Sequence, residues 1–158
     1  ALAASRFIPH PPNFTSLIAL SFYVPALLGR KFIPAVMGSF LLTDIVIGFH
    51  NVTFFTWGSV FIIGILSSYF TSSTVLRISG AVSGAIIFFI LTNLGVWLMG
   101  SYGYTINGLL ACYTLALPFF GYTILSTLVF SLLIEALHIF YKKKNLSKIL
   151  SNWEFLKF

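Results

Sequence analysis

Charge is scarce in this chain. Nine basic and three acidic residues make up 8% of its 158 positions, against roughly 25% in soluble domains. So few charges cannot solvate the surface of a water-soluble domain. The high apolar content excludes a disordered chain, and the missing basic face excludes a nucleic-acid partner. Cysteine is rarer still: Cys112 stands alone, which excludes an internal disulfide and any thiolate-based zinc or iron–sulfur centre. Also missing are H-x-x-x-H and H-E-x-x-H spacings, a G-x-S-x-G elbow and a phosphate-binding glycine loop. With no catalytic constellation in view, an enzyme is not expected.

What is present is apolar. Hydrophobic residues make up 58% and aromatic residues 18%, with a mean hydropathy of +1.00. Such a composition points to an all-α integral membrane protein, in which lipid replaces water as solvent for most of the surface. The apolar stretches are 14–29, 32–49, 54–70, 79–99 and 121–141, separated by Gly29-Arg30-Lys31, His50-Asn51, Thr71 to Thr74 and Gly100 to Gly103. A transmembrane β-barrel would instead alternate apolar and polar residues in segments of about ten.

The stretch 105–120 is ambiguous: either a further span or an interfacial or re-entrant helix. Charge decides between them. Five spans with the N-terminus outside put Arg30, Lys31, Arg77 and the C-terminal lysines (Lys142, Lys143, Lys144, Lys148 and Lys157) in the cytoplasm and leave only Arg6 outside, as the positive-inside rule favours. The stretch 105–120 then lies at the outer surface or dips into it. The expected organisation is one transmembrane bundle over 1–141 and a basic cytoplasmic tail over 142–158. Two readings of the start at Ala1 stand: a chain trimmed after a signal peptide, or the outer end of a first span that lies before it.

The polar residues of this topology gather at the outer end. Asp44 falls late in the second stretch. Asn93 and Trp97 are four apart and share a helix face. His10 and Asn13 belong to the proline-stiffened loop 8–16, which leads into the first span and suits a cap over a cavity. Amides and amphipathic aromatics around one acid are typical of a small-molecule pocket, although tryptophan and tyrosine also collect at bilayer interfaces on their own account. A metal held by His10, His50 and Asp44, or by Cys112, finds no supporting spacing. Glu135 and His138, three apart near the inner end, suggest either a proton relay or, more simply, an acid paired with Arg77 or Arg30. Gly80 and Gly84 form a small-xxx-small stripe suited to close helix approach, within the bundle or to a partner protein.

The run Arg6-Phe-Ile-Pro-His-Pro-Pro-Asn-Phe-Thr15, Asp44, Thr92-Asn-Leu-Gly-Val-Trp97, Gly108-Leu-Leu-Ala-Cys-Tyr113 and Pro118-Phe-Phe120 resemble a family of small, uncharacterised bacterial membrane proteins. That family is described as similar to the S components of energy-coupling factor (ECF) transporters. The resemblance spans roughly residues 1–141. It implies an S-component-like bundle of six helices whose first span precedes this chain, and an outer pocket for a vitamin or metal ion capped by loop 8–16. It also implies a bacterial inner-membrane location and coupling to an ATPase module. The layout is distantly like the solitary cobalamin-uptake S components, but their cobalt-ligating cysteine has no counterpart in 52–57.

Two functions are therefore expected as alternatives. One is a membrane-embedded substrate-binding subunit of a small-molecule importer, using His10, Asn13, Asp44, Asn93, Trp97 and Tyr113. In it Asp44 accepts hydrogen bonds or neutralises a cation, and Trp97 and Tyr113 stack on a planar ring. The other is a structural accessory subunit that packs into a larger membrane complex through Gly80 and Gly84.

Overall fold

A computed structural model describes the backbone of residues 2–155 and the side chains of residues 2–144. Among the described residues the chain is all helical, with no strand. The helices are α1 (Leu2–Phe7), α2 (Leu17–Leu28), α3 (Ile33–Ile47), α4 (Thr53–Leu66), α5 (Thr74–Leu98) and α6 (Ile106–Phe155). Short 3-10 turns at Arg30–Phe32 and Ser67–Tyr69 join α2 to α3 and extend α4.

The boundaries follow local chemistry. Ser73 caps α5 by accepting from the Leu76 amide at 3.1 Å, which satisfies one of the first-turn donors. A proline in the first turn of α3 occupies a position where no amide partner is needed. Gly29 and Gly48 end α2 and α3 with φ of 101° and 106°, a conformation open to residues without a Cβ.

Five full spans are not what forms. Helices α5, with 25 residues, and α6, over the 39 residues Ile106–Lys144, are long and apolar enough to cross a membrane. Helices α2, α3 and α4 have 12, 15 and 14 residues. At 1.5 Å per residue these reach only about 18–23 Å, short of the roughly 30 Å hydrocarbon core. The apolar stretches overstate the helices because their ends are spent on the loop before Ser16 and on the two 3-10 turns.

The stretch 105–120 is neither a re-entrant nor a separate interfacial helix. It is the first part of α6, which runs unbroken through Pro118 and Gly121. Proline and glycine are tolerated inside membrane helices where neighbouring groups re-satisfy the backbone. The backbone helix also continues past Tyr141 into the lysines, while the side chains of Lys148 and Lys157 lie outside the described residues.

Helix α2 occupies the centre. Ile18, Phe22 and Tyr23 pack with Ile63 of α4 and Ala81 and Ala85 of α5, and Leu2, Leu17, Val36, Phe40 and Val60 form a second cluster beside it. The outward faces are apolar: Leu42, Val46, Phe54, Leu132 and Leu137 are all exposed. Hydroxyls are buried instead, among them Ser21, Thr43, Ser59, Ser67, Thr127 and Ser131. In a water-soluble bundle the exterior residues are mostly polar, and serine and threonine are mostly exposed.

The Gly80 and Gly84 stripe is filled by this chain. A Cβ on Gly80 would stand 2.6 Å from the Phe22 ring and 2.7 Å from Phe70, and one on Gly84 would stand 3.1 Å from Ile63. The two glycines let α2 and α4 close on α5, which is the use of such a stripe within one bundle. Gly80→Ala is expected to lower stability by about 1–3 kcal/mol through overpacking, measured as reduced resistance to denaturation in detergent; an unchanged midpoint contradicts this packing.

Candidate functional site

The ionisable residues segregate to the two ends of the bundle. At one end Arg30 donates Nε–H to Ser68 at 3.0 Å, and Arg77 meets Glu135. Arg77 Nε–H donates to Glu135 Oε1 at 2.6 Å and Nη2–H to Oε2 at 2.7 Å. Thr74 donates to Oε2 at 2.9 Å, and Arg77 Nη1–H reaches the Thr71 carbonyl at 2.9 Å. The simpler reading of Glu135 thus holds: its carboxylate is engaged by Arg77 across α5 and α6. His138 lies three residues further on, half-buried.

At the opposite end Asp44 of α3 is fully enclosed. Its Oδ1 lies 2.7 Å from Arg6 Nη1, and its Oδ2 accepts the Trp57 indole N–H at 2.7 Å. The Oδ1 contact is one of charge, since no aligned hydrogen bond reaches that oxygen. The same Arg6 nitrogen donates to the Thr43 hydroxyl, and the guanidinium lies 4.6 Å over the Phe40 ring. Asp44 is therefore set against Arg6 and Trp57 and is enclosed rather than exposed to solvent.

In front of this pair lies a chamber of two lobes. The first, about 320 Å³, is lined by Arg6, His10, Asn13, Thr15, Phe40 and His50 among others. The second, about 340 Å³, is lined by Thr92, Asn93, Phe89, Phe119 and Phe120 among others. Asn13, His50, Thr56, Phe88 and Thr123 belong to both walls, so the two lobes adjoin. Loop 8–16 forms part of the rim. It turns at Asn13, whose φ is 61°, and is pinned to α6 where Ser126 donates to the Asn13 carbonyl at 3.4 Å. His50 is held by Thr53, which accepts the His50 amide at 3.0 Å and donates to its carbonyl at 2.6 Å.

Three of the six expected residues, His10, Asn13 and Asn93, line the chamber. Asp44 stands behind its wall. Trp97 and Tyr113 are not in the lining. Trp97 is one helical turn beyond Asn93, its ring 6.3 Å from Tyr104. Tyr113 packs edge-on to Phe89 at 5.5 Å and donates its hydroxyl to the Ile90 carbonyl at 2.7 Å. Cys112 is buried, with Sγ 3.4 Å from the Asn93 carbonyl oxygen. Among the described residues no three His, Cys, Asp or Glu side chains group as metal ligands; Asp44 is directed at Arg6 and Trp57 rather than at His10 or His50.

The residues that sequence reasoning passed over are Arg6, Trp57, Thr56 and Thr123. Arg6 carried a signal, as the one cation on the outer side of the charge-balanced topology. Trp57, thirteen residues after Asp44, carried none.

Residues 1–149 match a family of unknown function, DUF6580, and the chain belongs to that family. No curated protein and no solved structure matches it.

Proposed function

We propose that the protein is a membrane-embedded substrate-binding subunit of a small-molecule importer and that the two-lobed chamber is its binding site. The observation that carries this reading is the chamber itself, set in a bundle with an apolar exterior. Volumes of this size suit small molecules, and an apolar cavity with a few convergent polar groups is the usual form of a ligand site. The apolar faces and the two long helices fit a lipid environment. The clustering of Arg30, Lys31 and Arg77 away from the chamber fits a topology with that basic end and the C-terminus in the cytoplasm, so that the chamber faces out. The resemblance to ECF S components adds an inner bacterial membrane as location, a vitamin-like cargo and an ATPase-coupled module as the partner that drives release.

The test is native mass spectrometry of the protein purified from its own membrane. A small molecule of defined mass is expected on the wild type and is expected to be lost from Ala116→Phe, which fills the second lobe. A protein isolated without any small molecule, in fixed ratio with a partner that lacks an ATPase-coupled module, overturns the reading in favour of an accessory subunit.

A further inference from the structure

We infer that the chamber selects a small molecule with an aromatic body and an anionic group, the anion set against Arg6 and the ring system among the phenylalanines of the second lobe. This rests on the chamber being the ligand site, as proposed above.

The sign comes from what faces the cavity. Arg6 lines the first lobe, and neither lobe is lined by an acidic residue. The nearest acid, Asp44, is fully enclosed, with one oxygen against Arg6 and the other taken by Trp57. Asp44 engages Arg6 through Nη1, as do Thr43 and the Phe40 carbonyl. Nε and Nη2 have no acceptor among the described residues, so an edge of the planar fork is left over. That edge matches the two oxygens of a carboxylate or phosphate.

The body of the ligand follows from the second lobe. Phe89 and Phe120 stand with ring centroids 4.5 Å apart, Phe88 and Phe119 share the wall, and Asn93 supplies an amide there. Flat apolar surfaces with one amide suit an aromatic or heteroaromatic ring system.

The experiment uses the whole chain in lipid nanodiscs and three probes that share one ring system: 2-naphthoate, 2-naphthamide and 2-naphthylmethylamine, titrated calorimetrically. The acid is expected to bind at least about tenfold tighter than the amide, as charge-assisted pairing with a guanidinium implies, and the amine weakest. In Arg6→Gln the preference for the acid is expected to collapse. Because that change leaves Asp44 unpaired, the double variant Arg6→Gln/Asp44→Asn, which removes both charges together, serves as the second reading of the same quantity. Equal binding of acid and amide, or tighter binding of the amine, overturns the anionic class while leaving the chamber as a ligand site. Failure of all three probes to bind overturns the aromatic assignment as well, whereas the importer reading is still judged by the native mass. A preference for the acid that persists unchanged in the double variant overturns the role given to Arg6.

Discussion

Glu135→Ala is expected to lower the unfolding free energy by about 3–5 kcal/mol, the usual cost of stranding one member of a buried ion pair. The side chains of Arg77 and Glu135 are only 10% and 4% exposed. Removing the carboxylate leaves Arg77 with the Thr71 carbonyl and the Thr74 hydroxyl as its acceptors. A neutral carbonyl and a hydroxyl do not replace a carboxylate in a site of low dielectric. The same reasoning predicts that Arg77→Met/Glu135→Leu, which removes both charges and keeps the volume, is far less damaging than either single change. Unfolding of the chain in mixed micelles by a denaturing detergent measures both. A loss below about 1 kcal/mol for Glu135→Ala, the range of solvated surface pairs, would show that water reaches this end of the bundle.

Asp44→Ala is expected to cost about 3 kcal/mol, the lower end of the same range. It deletes the acceptor of the Trp57 indole and the counter-charge of Arg6 together. The cost is smaller than for Glu135 because the Arg6 side chain is 14% exposed and lines the chamber, from which water can solvate it. Asp44→Asn keeps an acceptor for Trp57 and is expected to be milder. These outcomes depart from the role the sequence suggested for Asp44, a direct ligand contact whose removal weakens binding and spares the fold. A Trp57→Phe variant separates the two partners: it leaves the Arg6 contact in place and is expected to cost about 1–3 kcal/mol for the acceptor it orphans. An Asp44→Ala protein as stable as the wild type would contradict the enclosed pairing.

The outer polar cluster was partly legible because its members lie near helix ends, where apolar runs stop. His10, Asn13 and Asn93 are such residues, and all three reach the chamber. Trp97 and Asn93 share a helix face, but in the turn after Asn93 it is Val96 that lines the chamber, and face-sharing does not say which side chain reaches a cavity. The pairing of Glu135 with Arg77 was legible because a chain with three acids offers few partners. Arg6 and Asp44, far apart in sequence, meet only through the docking of α1 on α3, which no local pattern encodes.

Helix lengths were the least legible part. An apolar run shows where lipid or core can cover the chain, not where the backbone stays helical. Gly29 takes positive φ and ends a helix, whereas Gly121 sits inside one with open space at its Cβ position. The charge balance that set 105–120 outside the bilayer was uninformative there, since no charged residue lies between Arg77 and Glu135. At 1.5 Å per residue the stretch of α6 before the lysines, 106–141, extends about 54 Å, well beyond a hydrocarbon core of roughly 30 Å.

The most direct test of the account is an experimental structure of the protein purified from its own membrane and crystallised in a lipidic phase. The account predicts density for a small molecule in the two-lobed chamber, its polar group within hydrogen-bond distance of Arg6 and its body against Phe89 and Phe120. A chamber closed by its own side chains, or filled by an acyl chain or a partner's helix, would contradict it.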